Sequence, residues 1–490
     1  MSVNRPARPR PWFLKSETIL ALLFLLTLPL INPWVRGDGV GYYAYARALL
    51  IEHSLDFTKD WLEANPTFRM GRVDEAQHIR LEQYTRTGHL DNHFTVGPAM
   101  LWAPFLVATH LAVLGFDHLG GHVRADGFSM PYIVVMAGAT ALYGFLGLLL
   151  SFRLARKYVE ERWAFLATLG IWFASSLPVY MYFNPSWSHA HSAFAVALFL
   201  WYWDRTREAR TPRQWLVLGL LGGFLIDVYY PNAVFLLVPV VESLRTVPTG
   251  WQKHGGASGE TTKLLLAGAL YGVAILVGLT PTLVTRAIIY GSPFSSGYVG
   301  LSKWNWTRPD LWNVLFSSDH GLLSWTPILI PASLGLIALF RRDSKVATPL
   351  LVTVLTFYYL TASYPDWDGL SSFGNRLFAS VTSVFVIGLG AALDALGKRW
   401  QRRRTVTAWA YGVTAVLIAW NLGFIFQWGT HMIPVRGPIS WREMARNQFT
   451  GVPVRVAGSM KNYLLRRKEL MGRIEQEDIK QLESQKPPQK

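Results

Sequence analysis

The chain has 490 residues, of which 51% are hydrophobic and only 16% charged, whereas soluble domains usually carry about 25% charged residues. This composition indicates an integral membrane protein. In such a protein, Lys and Arg are retained on the cytoplasmic side, so the net charge of +16 reports how the chain is oriented in the membrane. It does not point to a nucleic-acid partner. The absence of cysteine excludes disulfides, thiolate metal sites and cysteine nucleophiles.

The N-terminal segment carries four cations before the first apolar run. Arg5, Arg8, Arg10 and Lys15 precede the run 19–35, and no small-residue cleavage site follows it. This order predicts an uncleaved first span with its N-terminus inside.

Ten further apolar stretches follow, so that the sequence predicts an all-α membrane protein of about eleven spans. Several are shorter than the roughly 20 residues that a perpendicular span needs. They cover 129–150, 163–183, 190–204, 215–229, 231–246, 263–285, 326–341, 347–364, 377–396 and 405–428.

The stretch 98–115 decides the topology of everything after it. If 98–115 is not a span, the cation-rich segments lie inside and the cation-poor loops lie outside, as expected because Lys and Arg are retained on the cytoplasmic side. We therefore predict a short helix with two prolines, lying at the outer surface. The inside segments are then 151–162, 204–214, 242–263, 341–345 and 397–404.

The remaining outer chain falls into three long pieces. Two are loops, 36–128 and 286–325, within a multi-spanning domain that covers 1–428. The third is a charged, amphipathic tail, 429–490, which span parity places outside although it is basic. From Glu475 to the end we expect disorder.

A carboxylate flanked by glycines is the sharpest feature of the chain. Asp38 lies between Gly37 and Gly39, which allow close approach of a ligand to the backbone. Tyr42 and Leu49 share one face of the amphipathic helix predicted next. Alternatively, Asp38 simply caps this helix.

Four motifs in order resemble the GT-C polyprenyl-phosphate-dependent glycosyltransferases, the group of the protein O-mannosyltransferases and the aminoarabinose transferase of lipid A. They are GDGVGYYAYARALL (37–50), HFTVGPAMLWAPFLVA (93–108), LFSSDHGLLSWTP (315–327) and WDGLSSFGNRLF (367–378). The resemblance implies a multi-spanning helical bundle with juxtamembrane helices. It also implies a sugar donor carried on a polyprenyl phosphate, without a nucleotide site.

By this resemblance, Asp38 is the catalytic carboxylate beside the acceptor hydroxyl. For the leaving phosphate we favour Arg376, the only cation of the loop 364–376, because a guanidinium matches phosphate oxygens in pairs. The alternative for Arg376 is a surface anchor at the end of a span.

Further candidates are weaker. Lys303, Arg308 and His320 could bind the donor phosphate, with solvated or interfacial roles as the alternative. Tyr42 and Tyr43, which follow Asp38, are candidates for substrate binding.

Two other groups could bind sugar hydroxyls. Asp366, Trp367 and Asp368 combine two acids with a stacking ring, although an interfacial tryptophan would explain them as well. Asp227, near the end of a predicted span, is a functional candidate because a buried acid is costly there, or else has a hydrated structural role.

Many relatives of this type place a second acid in the second outer loop, where this chain has none. His189 and His191 could replace it as acceptor ligands, or form a metal site with Asp38. A His-x-His pair chelates only on extended backbone, so the favoured alternative is that they cap and hydrogen-bond the next span. We expect that no cofactor is required, with a divalent metal ion as the minority alternative.

These features predict an inverting glycosyltransferase of a bacterial inner membrane, with its site facing the periplasm. Its partners would be a polyprenyl-phosphate-linked sugar, membrane lipids and a glycan, lipid or protein acceptor. The alternative is a transporter or non-catalytic lipid-binding protein, but no internal repeat is found and the polar residues gather at the outer surface.

Overall fold

The computed structural model describes residues 15–207, 209–254, 259–295, 297–399 and 403–484. The cations Arg5, Arg8 and Arg10, used above to orient the first span, lie outside the described residues, as does the terminal segment 485–490.

The described chain is helical and contains two isolated β-bridges but no strand, which confirms the all-α prediction. The first half comprises α1 (Ser16–Thr27), α2 (Asp38–Arg47), α3 (Thr58–Glu63), α4 (Pro66–Arg69), α5 (Gly97–His118), α6 (Met130–Ala155), α7 (Glu161–Phe173), α8 (His189–Thr206), α9 (Pro212–Val228) and α10 (Leu237–His254).

The second half continues with the same character. It comprises α11 (Gly259–Gly278), α12 (Thr280–Tyr290), α13 (Leu311–Phe316), α14 (Leu322–Trp325), α15 (Leu329–Arg342), α16 (Ser344–Ser363), α17 (Thr382–Arg399), α18 (Arg403–Gly429), α19 (Trp441–Leu465) and α20 (Arg467–Ser484).

Five described helices are long and apolar enough to cross a membrane, and six if α11 and α12, bent by 53°, form one span. The predicted count of about eleven is therefore not confirmed. Other predicted spans contain shorter helices: α1 has only 12 residues, and α7 ends after 13 residues. Such helices depend on packing against their neighbours rather than on length.

Ion pairs join the helix ends at one end of the bundle, which we call the basic end. They link Glu17 to Arg153, Lys157 to Asp204, Arg210 to Glu242 and Arg342 to Asp394. The residues in or beside the five predicted inside segments thus lie together at one end of the helix bundle. The chain between them returns each time to the opposite end, where Asp38 lies.

The helix α5 differs from the prediction for 98–115. It has 22 residues and is long and apolar enough to span a membrane, so the prediction of a short helix is wrong. Pro98 lies in its first turn, where proline is tolerated. The helix nevertheless packs antiparallel against only one half of α6. Trp102 donates to Thr140 at 2.9 Å, and His110 lies 2.7 Å from the hydroxyl of Tyr132. The helix thus starts beside the middle of α6 and runs away from the basic end.

The helix α2 also differs from the prediction. Every residue from Gly39 to Arg47 is buried, so the helix is not amphipathic. Its far end is fixed by Arg47, whose guanidinium donates to both carboxylate oxygens of Asp60, at 2.6 and 2.5 Å. A two-pronged pair of this kind restrains both side chains and so anchors the helix in the first outer loop.

The tail is ordered beyond Glu475, contrary to the prediction of disorder. The helix α20 continues to Ser484 and buries two of its carboxylates. Its Glu475 accepts a hydrogen bond from Asn65 at 2.8 Å, and Asp478 pairs with Arg36. Composition alone predicted a solvated end because these partners lie more than 400 residues away in sequence.

The topology can be tested by labelling single cysteines, since the native chain has none. Leu119, at the end of α5, is 85% exposed, and Arg341 is exposed at the basic end. In intact cells, a membrane-impermeant maleimide should label Leu119→Cys, whereas Arg341→Cys should react only after permeabilisation. Labelling of the two positions in the reverse pattern would contradict the predicted orientation.

Candidate functional site

The carboxylate of Asp38 lies at the start of α2 and does not cap it. The cap position is Gly37, with φ +54°, and no side chain accepts a hydrogen bond from the helix start. One oxygen of Asp38 instead lies 2.7 Å from Nη1 of Arg376, and the side chain is 34% exposed. The alternative role as a helix cap is therefore not what the structure shows.

Arg376 begins a short 3₁₀ helix, Arg376–Val381, after the loop that follows α16. Its side chain is only 12% exposed, so it is not a surface anchor. Although Nη1 is close to Asp38, neither Nη1 nor Nε has a hydrogen bond of good geometry to protein. A guanidinium with unused donors, held beside one carboxylate, is suited to receive the oxygens of a phosphate.

Trp187 completes this pair and was missed from the sequence. Its ring lies 4.3 Å from the guanidinium carbon of Arg376, and its Nε1 donates to the carbonyl of Arg36 at 2.8 Å. It belongs to the segment 184–191, in which the sequence analysis considered the missing acid and the two histidines but not the tryptophan. The ring packs against the cation from one side and adds a cation–π contact to the ion pair with Asp38.

The glycines beside Asp38 allow this close approach. A Cβ on Gly37 would lie 3.0 Å from the ring of Trp187, and one on Gly39 would lie 1.9 Å from Oγ of Ser186. The glycines thus allow contact between the first two outer loops, whereas the predicted close approach of a ligand to this backbone stays a prediction.

The two tyrosines have different positions. Tyr42 is buried next to the site; its hydroxyl accepts from Ser188 at 2.9 Å and its ring packs on Phe94. Tyr43 donates to the carbonyl of Gly127 at 2.6 Å and packs against Trp102, in the interior of the first loop. Tyr42 is therefore part of the wall behind Asp38, and Tyr43 has a structural position.

His189 and His191 lie on the first turn of α8, so the extended backbone that chelation by both would need is absent there. His189 is buried among aromatic rings, 4.7 Å from that of Tyr180 and 5.4 Å from that of Tyr229. His191 is buried with its ring 5.0 Å from that of Trp102. They point into different parts of the wall.

The candidates from the last two motifs form a second cluster. His320 is buried, and its Nδ1 lies 3.0 Å from the carbonyl oxygen of Asp368 and 3.5 Å from a carboxylate oxygen of Asp319. Burial and then the charge of Asp368 raise the pKa of Asp319 to about 6, whereas burial lowers the pKa of His320 to about 4. A neutral imidazole cannot supply the positive charge expected of His320 as a phosphate ligand.

The neighbouring acid and ring belong to the same loop. Burial, with the charge of Asp368, raises the pKa of Asp366. The carbonyl of Trp367 accepts from Asn375 at 2.9 Å, which closes the loop just before Arg376. These residues border the ion pair of the site without contacting it.

Lys303 and Arg308 are exposed, in the segment that packs against the end of α16. Neither is among the residues that line the cavity described next. The structure therefore does not bring them to Asp38.

A cavity of about 1100 Å³ extends from the ion pair into an apolar space. Asp38, Arg376 and Trp187 line its polar end. The remainder is walled by the end of α1 and by faces of α18, α19 and α20, including Val456 of α19. It slightly exceeds the volumes of about 300–1,000 Å³ usual for small-molecule pockets, and its walls suit a long apolar chain with a charged head.

The polar rim of this cavity is built partly by the C-terminal helices. Asp478 of α20 pairs with Arg36 and accepts from Nε2 of His431 at 2.7 Å. Arg36 also lies over the ring of Trp34, 4.3 Å from its centroid. Sequence reasoning missed this cluster because its members come from both ends of the chain.

Two further buried charges support the site from behind. Arg286 of α12 donates to the carbonyls of Asn92 and His93, at 2.9 and 2.7 Å, and so fixes the end of the first loop. Asp227 accepts from the backbone N–H of Thr282 at 3.1 Å, at the bend between α11 and α12. Asp227 therefore has a structural role in helix capping.

The sequence matches no protein-family model and no curated protein. Solved structures of similar fold do exist. ArnT from Cupriavidus metallidurans in the apo state is similar over 94% of this chain and 78% of that chain, with 16% identity and a TM-score of 0.48. The same protein bound to undecaprenyl phosphate is similar over 85% and 72%, with 16% identity and a TM-score of 0.46.

An oligosaccharyltransferase of Archaeoglobus fulgidus in the apo form is similar over 85% of this chain and 58% of that chain. Its identity is 15% and its TM-score 0.47. Likenesses of this size concern the course of the helices and assign no reaction to this chain. The chain is an all-helical, multi-pass membrane protein whose candidate site is the Asp38–Arg376 pair at the polar end of a long apolar cavity.

Proposed function

We propose that the protein is a glycosyltransferase that moves a sugar from a polyprenyl phosphate to a hydroxyl acceptor on the outer face of a bacterial inner membrane. The observation that carries this proposal is the position of the Asp38–Arg376 pair at the polar end of the cavity. A base and a phosphate-binding cation, 2.7 Å apart beside a space for a lipid, are the two groups that such a transfer needs.

The polyprenyl chain would lie in the apolar part of the cavity, with its phosphate at Arg376. Nε and Nη1 of Arg376, which have no hydrogen bond of good geometry to protein, can bind phosphate oxygens when the pair with Asp38 loosens, and the ring of Trp187 holds the guanidinium in place. The similar structure of ArnT carries undecaprenyl phosphate, a lipid of the class proposed here.

In the reaction, an acceptor oxygen attacks the anomeric carbon while the bond from that carbon to the phosphate oxygen breaks. The acceptor proton passes to Asp38, and polyprenyl phosphate leaves with the bonding electrons. Arg376 offsets the charge that develops on the leaving phosphate. A single displacement of this kind inverts the anomeric centre, and these steps require no cofactor.

Donor binding also prepares the base. In the free protein the charge of Arg376 is directed at Asp38. A phosphate that takes over Arg376 weakens this pair and leaves the carboxylate available to the acceptor proton. The exposed third of the Asp38 side chain leaves room for the acceptor to reach the carboxylate.

Replacement of the base gives the first test. Asp38→Asn should lower transfer by at least about 100-fold, since general bases contribute 10²–10⁴-fold, while binding of undecaprenyl phosphate persists. Release of polyprenyl phosphate from a panel of polyprenyl-phosphate sugars measures transfer. Asp117→Asn, an exposed position at the end of α5, is the control. Full activity in Asp38→Asn would remove Asp38 from the reaction, and no turnover of any donor by the parent would favour a non-catalytic lipid-binding protein.

Replacement of the cation tests the phosphate site. Arg376→Ala should weaken binding of undecaprenyl phosphate about 10- to 100-fold, because a charge-assisted hydrogen bond contributes about 1.5–3 kcal/mol. Arg308→Ala, which removes an exposed arginine outside the cavity, should bind like the parent. Equal affinities of Arg376→Ala and the parent would place the phosphate elsewhere.

Blocking the apolar part of the cavity tests the lipid path. Val456→Trp fills part of the space between α19 and its neighbours, so it should weaken binding of a long-chain polyprenyl phosphate much more than that of a short-chain analogue. Val454→Trp, on the same helix but 81% exposed, is the matched control. Equal effects of Val456→Trp on both chain lengths would contradict this path.

A further inference from the structure

Two separate loops bring three residues of metal-binding types together beside the site. Asp319 and His320 lie in the turn before α14, and Asp368 lies in the loop between α16 and Arg376. One ligand atom from each lies within 4.8 Å of the other two. In the described part of the chain, no other set of three His, Asp or Glu side chains meets this condition.

His320 carries the strongest evidence within the cluster. Its side chain is fully buried, although imidazole is polar, and its Nε2 has no hydrogen-bond partner. Its Nδ1 edge faces a carboxylate oxygen of Asp319 at 3.5 Å and the carbonyl of Asp368 at 3.0 Å. Since a carbonyl oxygen can only accept, Nδ1 carries the proton in the metal-free protein. With that proton moved to Nε2, Nδ1 and the nearby oxygens provide the mixed nitrogen and oxygen donors of a metal site.

The negative charge of the cluster is only partly offset by protein. A carboxylate oxygen of Asp319 is buried without a hydrogen bond, and Asp366 adds a third acid next to Asp368. Arg436 acts on Asp319 and Asp366, and Arg376, which is already paired with Asp38, also acts on Asp366. The three acids of the cluster therefore outnumber the cations available to them, which makes the cluster attractive to a metal ion.

We propose that Asp319, His320 and Asp368 bind a divalent transition-metal ion that joins the two loops. Carboxylate and imidazole ligands suit Mn²⁺ or Zn²⁺ better than the all-oxygen ions Mg²⁺ and Ca²⁺. Three ligands at about 2.0–2.2 Å from one ion lie about 3.3–3.8 Å apart, so the three side chains need to close by at most about 1–1.5 Å.

The ion would act on the transfer site through the backbone. Gly369 follows Asp368 directly, and a Cβ at that position would lie 3.3 Å from both Cγ and Nε of Arg376. The backbone next to Asp368 is therefore close to the side chain of Arg376, and on this ground we assign the metal a positioning role for Arg376. The site is distinct from the minority alternative at Asp38, His189 and His191, and its binding can be measured without any donor.

Metal binding by the purified full-length protein tests the proposal. After chelator treatment and dialysis, titration with Mn²⁺ alone, followed by the loss of the free-ion EPR signal, should show one site per chain. Asp319→Asn, His320→Gln and Asp368→Asn should each weaken it at least about 10-fold. Asp366→Asn removes the same charge from the same loop without removing a ligand, and should have a smaller effect.

A spectroscopic measurement separates coordination from charge attraction. Bound Mn²⁺ should show nitrogen coupling in pulsed EPR, which His320→Gln abolishes and His122→Gln, an exposed control, retains. Circular dichroism and size-exclusion profiles establish that each variant is folded. No binding by the parent, equal losses in Asp366→Asn and Asp368→Asn, or nitrogen coupling that persists in His320→Gln would overturn the proposal. Because no donor is present, failure here leaves the proposed transfer untouched, and the reverse also holds.

Discussion

The contact of the Arg376 guanidinium with Asp38 and Trp187 is the interaction on which the arrangement of the outer loops depends. The side chain of Arg376 is nearly buried, and a charge in that position is costly unless it is compensated by an opposite charge. Asp38 comes from the first outer loop and Trp187 from the second, so one cation joins three segments that are far apart in sequence. Gly37 and Gly39 then follow as a steric requirement of the same contact.

This constraint also explains the ordered supports around the site. Arg47 holds the far end of α2 through Asp60, and Arg286 holds the end of the first loop by its carbonyls. Each support fixes backbone that carries or borders Asp38. A catalytic group on a long loop can be precise only if the loop is anchored in this manner.

The cavity extends from the ion pair into an apolar space along the C-terminal helices. α18, α19 and α20 supply much of its wall, and Asp478 ties the last of them to Arg36 near Asp38. The tail is thus part of the binding site of the proposed donor. An apolar wall with one charged end favours a lipid phosphate over a free sugar phosphate, because the chain contributes burial energy that a soluble donor lacks.

The sequence predicted those features that depend on local chemistry. The family resemblance selected Asp38, and its position as the only cation of the loop 364–376 selected Arg376; the structure places the two side chains 2.7 Å apart. Cation placement grouped the helix ends that form the basic end. Glycine-flanked acids and cation-poor loops can be recognised in short windows of sequence, and their roles in the reaction stay predictions.

Features that depend on distant contacts were not predictable in this way. The order of α20 rests on Asp478 meeting Arg36, and the role of Trp187 on stacking against an arginine 189 positions later. The length of α5 and the burial of α2 on all sides depend on neighbouring helices rather than on periodicity. Packing of this kind leaves no local signature.

A structure of the protein with undecaprenyl phosphate bound would test the central claim most directly. The account predicts the phosphate within hydrogen-bond distance of Arg376, the chain between α18, α19 and α20, and a wider separation of Arg376 from Asp38. A phosphate bound away from Arg376, with the Asp38–Arg376 contact intact, would contradict it.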